Sequence, residues 1–208
     1  MSVRAVVFDV GGVLTSSPFD AFARYERAHG LPDGFLRLVN ATNPDTNAWA
    51  RLERREVDLD RFALLFEEEA RALGHAVDGH DVLALLAGDL RPAMVEAVRR
   101  CAARLSTALL TNNFVVAPAL ERVDLAEVHG LVDVVLESSK LGVRKPDPRI
   151  YRLACEALGV APDEVVFLDD LGVNLKPARA LGMHTIKVVD PADALDALAR
   201  AVGFPVTG

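Results

Sequence analysis

Cysteine is almost absent from this chain: Cys101 and Cys155 stand far apart in helical stretches, with neither a metal-type nor a redox-type spacing. That excludes a disulfide framework and a thiolate metal centre, and leaves both thiols as small buried packing groups. No apolar run approaches the roughly 18 residues that a membrane-spanning helix needs. Met1-Ser2-Val3-Arg4 leads into a strand without the organisation of a signal peptide, so the expected location is cytoplasmic, with no membrane partner. Basic charge is also in deficit: the net charge of −7 argues against a nucleic-acid surface, which needs a basic stripe. Within that deficit lysine is rare, with four against nineteen arginines and none between residues 16 and 88. Each lysine is therefore easier to interpret. The five histidines show no ligand-type pairing, and loop or core positions are expected for them.

What is present is the material of a globular enzyme. A chain of 208 residues, 51% hydrophobic and 25% charged, can bury a real core as one large domain or as a core with an insertion. A strand is expected at about 3–8. Residues 18–88 then carry helical spacing at 19–29, 46–55, 60–73 and 81–87, with turn chemistry at Leu31-Pro32-Asp33-Gly34, Asn43-Pro44 and Asp78-Gly79. From residue 91 the pattern alternates. Helices are expected at 92–104, 117–123, 148–158, 174–181 and 192–202, and strands at 107–110, 132–136, 165–168 and 185–189. Asp147-Pro148 opens one of these helices and Gly159 closes it. The expected fold is α/β: a Rossmann-like, mostly parallel sheet core from residues 1–15 and 89–208, with a helical cap, residues 16–88, inserted after the first strand.

Four segments of that core bring polar residues to one rim of the sheet. Val6-Val7-Phe8-Asp9-Val10-Gly11-Gly12 places Asp9 at the carboxyl end of a buried strand, where parallel sheets gather ligands. Thr111-Asn112-Asn113 follows the second strand, Lys145 lies in Val143-Arg144-Lys145-Pro146, and Asp169-Asp170 with Asn174 follows a third. Carboxylates gathered there would repel one another unless a cation neutralised them. A hard oxygen site with few protein ligands suits Mg²⁺, which keeps waters and shares substrate phosphate oxygens. Thr111 and Asn112 offer donors to an anion, and Lys145 a point charge.

With those four motifs in order, the chain resembles the haloacid dehalogenase-like hydrolase superfamily. Residues 137–151 and 167–179 are similar to the branch containing the amino-terminal phosphatase domain of soluble epoxide hydrolase. The resemblance implies a Mg²⁺-dependent phosphatase acting on a small phosphorylated metabolite. Asp9 would be the nucleophile and a metal ligand, joined at the metal by Asp170 and the backbone carbonyl of Gly11. Thr111, with Asn112, would hold phosphoryl oxygens. Lys145 would neutralise nucleophile and phosphoryl group, while Asp169 and Asn174 would orient their neighbours. Attack by Asp9 would give an aspartyl-phosphate that water hydrolyses.

Gly11 departs from the family pattern, in which that position is commonly an acid–base Asp. Losing such assistance costs about 10²–10⁴ in rate. Substrates whose leaving oxygen is already acidic are therefore expected: anomeric sugar phosphates, aryl phosphates or acyl phosphates. Two alternatives stand beside this reading. One is carbon–halogen hydrolysis, although the superfamily's dehalogenases carry an aromatic residue at position 11 and leave Asp170 unexplained. The other is a weakly active phosphate-binding or interaction module. A phosphonate hydrolase would need a cap lysine, and residues 16–88 have none. Trp49, Arg51, Arg54 and Arg55 are open to a pocket reading, but helical packing and snorkelling account for most of that pattern.

Overall fold

The computed structural model describes residues 2–86, 88–112 and 125–208. The helix expected at 117–123 and Asn113 lie outside the described residues. Five parallel strands form one sheet in the order β3-β2-β1-β4-β5: β1 is Ala5–Phe8, β2 Ser106–Thr111, β3 Val134–Glu137, β4 Val165–Asp169 and β5 His184–Lys187. The central strand β1 has no polar residue and buries all four side chains, as a strand covered on both faces must. Strand order reverses direction at β1, between β2 and β4. Carboxyl ends at such a switch point frame a crevice.

Alternate residues of the strands feed two cores. Val6, Phe8, Leu109, Val166 and Leu168 pack on one face with Met94 and Val98 of α6 (Pro92–Ala102) and with Leu195 and Leu198 of α11 (Pro191–Val202). Val7, Ala108, Leu110 and Phe167 pack on the other with Ile150, Tyr151 and Ala154 of α9 (Pro148–Leu158) and with Leu175 of α10 (Gly172–Ala180). Asp147 caps α9 by accepting the Arg149 N–H at 2.9 Å, and Gly159 ends it at φ 64°, as the sequence predicts. Short helices α7 (Ala126–His129) and α8 (Ser138–Leu141) flank β3.

Five helices are inserted between β1 and α6: α1 Pro18–Ala28, α2 Phe35–Ala41, α3 Ala48–Glu53, α4 Leu59–Ala72 and α5 Gly79–Ala84. They surround a hydrophobic core of their own, in which Trp49 meets the Phe62 and Phe66 rings edge-on at 4.6 and 6.3 Å. Trp49 is therefore a cap-core residue. Helix α2 is not among the expected elements. Its first residue follows Gly34 at φ 77° with no side-chain cap of its own; Glu26 of α1 supplies the acceptor, taking the Gly34 and Leu36 N–H groups at 2.8 and 2.9 Å. Among the described residues no helix is long and apolar enough to cross a membrane. Both cysteines are free and buried, and burial pushes the Cys101 thiol up to about 12.

Candidate active site

The register puts Asp9 one residue past Phe8, which pairs with Leu168 of β4, so Asp9 lies level with Asp169 across the switch point. The Asp9 N–H donates to the Leu168 carbonyl at 3.0 Å, holding the backbone on the sheet before the chain turns away. Lys145, 1% exposed, bridges the two carboxylates: its Nζ is 2.8 Å from Asp9 Oδ1 and 2.7 Å from Asp169 Oδ2. The Val10 N–H also donates to Asp9 Oδ1, at 2.7 Å. Asp169 is fully buried and saturated. Asn174 Nδ2 donates to both its oxygens at 3.0 and 3.1 Å, and the Leu171 N–H to Oδ1 at 2.8 Å. Tyr151 fixes Asn174 in turn through its carbonyl at 2.7 Å.

Asp170 sits one residue beyond, half-buried, against the turn at Val10–Leu14. Gly12 makes that approach possible: at φ 73°, a Cβ there would lie 2.4 Å from Asp170 Oδ2. Arg91 anchors the same turn from the far side of the insertion, with Nη1 2.6 Å from the Gly12 carbonyl and its N–H 2.8 Å from the Leu14 carbonyl. Gly11 is exposed at φ −65°, ψ 128°, and a Cβ there would meet nothing within 4 Å. The position that lacks a side chain is thus one with room for a side chain.

Thr111 ends β2 half-buried, one residue beyond the level of Asp9. Asn112 spends its side chain on the lysine loop: Oδ1 accepts the Lys145 N–H at 2.8 Å and Nδ2 donates to the Lys145 carbonyl at 3.0 Å. The cap reaches this loop through Glu53, whose Oε2 pairs with Arg144 Nε and lies 3.5 Å from Asn112 Nδ2. Glu53 and Arg91 were not singled out by the sequence. A carboxylate among Arg51, Arg54 and Arg55 reads as a solvated helix end, and no local signal gives its tertiary partner. Arg54 itself pairs with the half-exposed Glu56, and the exposed Lys140 with Glu137.

The electrostatics are those of an anionic pocket. Burial lifts the Asp9 carboxyl well above its ordinary range, and Asp169 and Asp170 add to the rise against the pull of Lys145. Burial and then the Asp169 charge push Asp170 up to about 6. Burial opposes the Lys145 ammonium, but Asp169 and Asp9 outweigh it and hold its pKa above the ordinary value. Three carboxylates face one ammonium, and one oxygen from each of Asp9, Asp169 and Asp170 falls within 4.8 Å of the others. A hard divalent cation fits the surplus negative charge of that group.

The haloacid dehalogenase-like hydrolase family matches residues 3–182. The chain belongs to this family. As a HAD hydrolase it has phosphatase relatives: one from Mycobacterium tuberculosis is 36% identical over 208 residues, covering 96% of this chain and 94% of that protein. Bifunctional epoxide hydrolase 2 of Sus scrofa is 34% identical over 222 residues, covering 98% of this chain and 39% of the relative. The chain spans about two fifths of that bifunctional protein. A HAD-family enzyme from Bacteroides thetaiotaomicron, solved in complex with magnesium and inorganic phosphate, shares the fold at a TM-score of 0.58 and 19% identity, over 89% of this chain and 94% of that one.

Proposed function

We propose that this HAD hydrolase is a Mg²⁺-dependent phosphatase for a small phosphorylated metabolite, with residues 1–15 and 89–208 as the catalytic core and 16–88 as a cap that sets specificity. The observation that carries the reading is the bridge from Lys145 to Asp9 and Asp169 at the carboxyl end of β1 and β4. Asp9, Asp170 and the Gly11 carbonyl would hold Mg²⁺, which when bound neutralises the carboxylates and polarises the phosphoryl oxygens. Asp169, saturated by Lys145, Asn174 and the Leu171 N–H, supports its assignment as an orienting residue, and Asn174 shares that role. Thr111 would bind the phosphoryl oxygens at the end of β2, with Asn112 supporting them through its neighbourhood and through Lys145.

In this reaction an Asp9 carboxylate oxygen attacks phosphorus in line with the leaving oxygen, whose bond to phosphorus breaks with the electron pair. Lys145 favours the ionised form of Asp9 against the effect of burial and screens the incoming phosphoryl charge. Water then attacks phosphorus, the acyl-phosphate bond breaks, and Asp9 leaves as carboxylate with inorganic phosphate as product. With Gly11 at the usual acid–base position, the leaving oxygen takes its proton from solvent, which favours anomeric, aryl and acyl phosphates. Hydrolysis of an aryl phosphate by wild type and Asp9→Asn, each with and without Mg²⁺, tests the reading. Metal-dependent turnover lost in Asp9→Asn supports it, and turnover that survives the substitution refutes the nucleophile.

A further inference from the structure

We propose that Glu53, carried by the cap, is a positioning residue for Lys145: through Arg144 and Asn112 it sets the loop that presents the ammonium to Asp9. The inference rests on the roles of Asp9 and Lys145 proposed above. Its starting point is one oxygen. Glu53 Oε2 pairs with Arg144, the residue before Lys145, and faces Asn112 Nδ2 at 3.5 Å. Asn112 holds the Lys145 backbone on both sides, through its N–H at 2.8 Å and its carbonyl at 3.0 Å. A single cap carboxylate therefore touches both supports of the lysine's own backbone.

Two further bonds tie the same patch of cap to the same loop region. The Glu53 carbonyl accepts the Ser138 hydroxyl at 3.0 Å, and Arg144 Nη1 donates to the Pro44 carbonyl at 3.0 Å. The Glu53 and Arg144 side chains are 13% and 20% exposed, so their pair is shielded from the screening that weakens surface ion pairs. The other acidic residue at this end of α3, Glu56, is about half exposed and takes Arg54 instead. Of the two, Glu53 is the one that points its charge at the core. At the far end of the chain of contacts, Lys145 Nζ sits at hydrogen-bond distance from two carboxylates, a geometry in which a small displacement of the loop costs rate steeply. The cap would then do more than cover substrate: its seating would complete the site.

The test compares kcat, KM and melting temperature of full-length wild type, Glu53→Ala, Glu53→Gln and Glu53→Asp, with Glu56→Gln as a surface control and Asp9→Asn run in parallel. The substrates are an aryl phosphate and acetyl phosphate, which differ in bulk. The expected result for Glu53→Ala is a loss of about tenfold or more in kcat, by the same factor on both substrates, with KM changed far less. Glu53→Gln, which keeps the shape and loses the charge, should fall between, Glu53→Asp should recover part of the rate, and Glu56→Gln should match wild type. Unchanged kcat with raised KM, a loss confined to the bulkier substrate, or a loss that only follows the unfolded fraction overturns the proposal. If Asp9→Asn is inactive while the Glu53 variants match wild type, the positioning role fails and the phosphatase reading stands. If Asp9→Asn is active, the nucleophile itself is wrong.

Discussion

Restoring a carboxylate at position 11 should change which substrates turn over. Gly11→Asp is compatible with the backbone, because φ −65° and ψ 128° are open to any residue and a Cβ would meet no atom within 4 Å. The new side chain would stand two residues from Asp9, in open space on an exposed turn. General acid–base assistance contributes about 10²–10⁴ in rate, or about 3–5 kcal/mol of barrier. That gain should appear on alkyl phosphates, whose leaving oxygen needs a proton, and should nearly vanish on aryl phosphates, whose leaving oxygen does not. The cost is one more carboxylate beside Asp9, Asp169 and Asp170, so the variant should depend more steeply on Mg²⁺. The assay is kcat/KM over a series of phosphate esters graded by leaving-group acidity, for wild type and Gly11→Asp at saturating Mg²⁺. The wild type should show a steep dependence and the variant a shallow one. Equal slopes would refute the reasoning, as would a wild type already indifferent to the leaving group.

Gly12→Ala should abolish turnover and weaken Mg²⁺ binding, because its Cβ would fall 2.4 Å from Asp170 Oδ2 and the left-handed backbone adds about 1–2 kcal/mol of strain; isothermal titration with Mg²⁺ and a thermal melt check both parts. Lys145→Met leaves two buried carboxylates facing each other, and breaking a buried pair costs about 3–5 kcal/mol, so the melting temperature should fall at neutral pH and recover in part at low pH, where Asp9 protonates. Without metal, folding should weaken as pH rises from about 4 to about 6: folded Asp170, raised from 3.8 to about 6, holds its proton more tightly than the unfolded chain does, a difference of about 3 kcal/mol. Mg²⁺ competes with that proton, so its stabilisation measured by thermal melts should be larger at pH 7.5 than at pH 5; an equal effect at both would contradict the assignment.

Most of the candidate site is legible in the chain because its chemistry sits at strand ends. An apolar strand that terminates in Asp9, or in Asp169-Asp170, declares both its burial and its direction, and so the rim where those groups meet. Parallel order and the position of the inserted helices follow from the same alternation. What escaped is what depends on meetings between distant segments. Helix α2 is capped by Glu26 of another helix, so its start carries no local signal. Arg91 reaches the site from just past the insertion and Glu53 from within it, and neither departs from the pattern of an ordinary surface residue. Asn112 is legible as a polar strand-end residue, but only the fold directs its amide to the backbone of Lys145. Likewise the open space at Gly11 and the crowding at Gly12 distinguish two adjacent glycines that the sequence presents as one turn.

The central claim is that Asp9 is the nucleophile, and it is tested by acid-quenching the Mg²⁺-bound enzyme within a single turnover of an aryl phosphate and mapping the phosphoryl group by peptide mass spectrometry. A nucleophilic Asp9 should carry a hydroxylamine-sensitive acyl phosphate that is absent from Asp9→Asn. Turnover without a phosphoryl adduct at any time point, or an adduct on another residue, would contradict it.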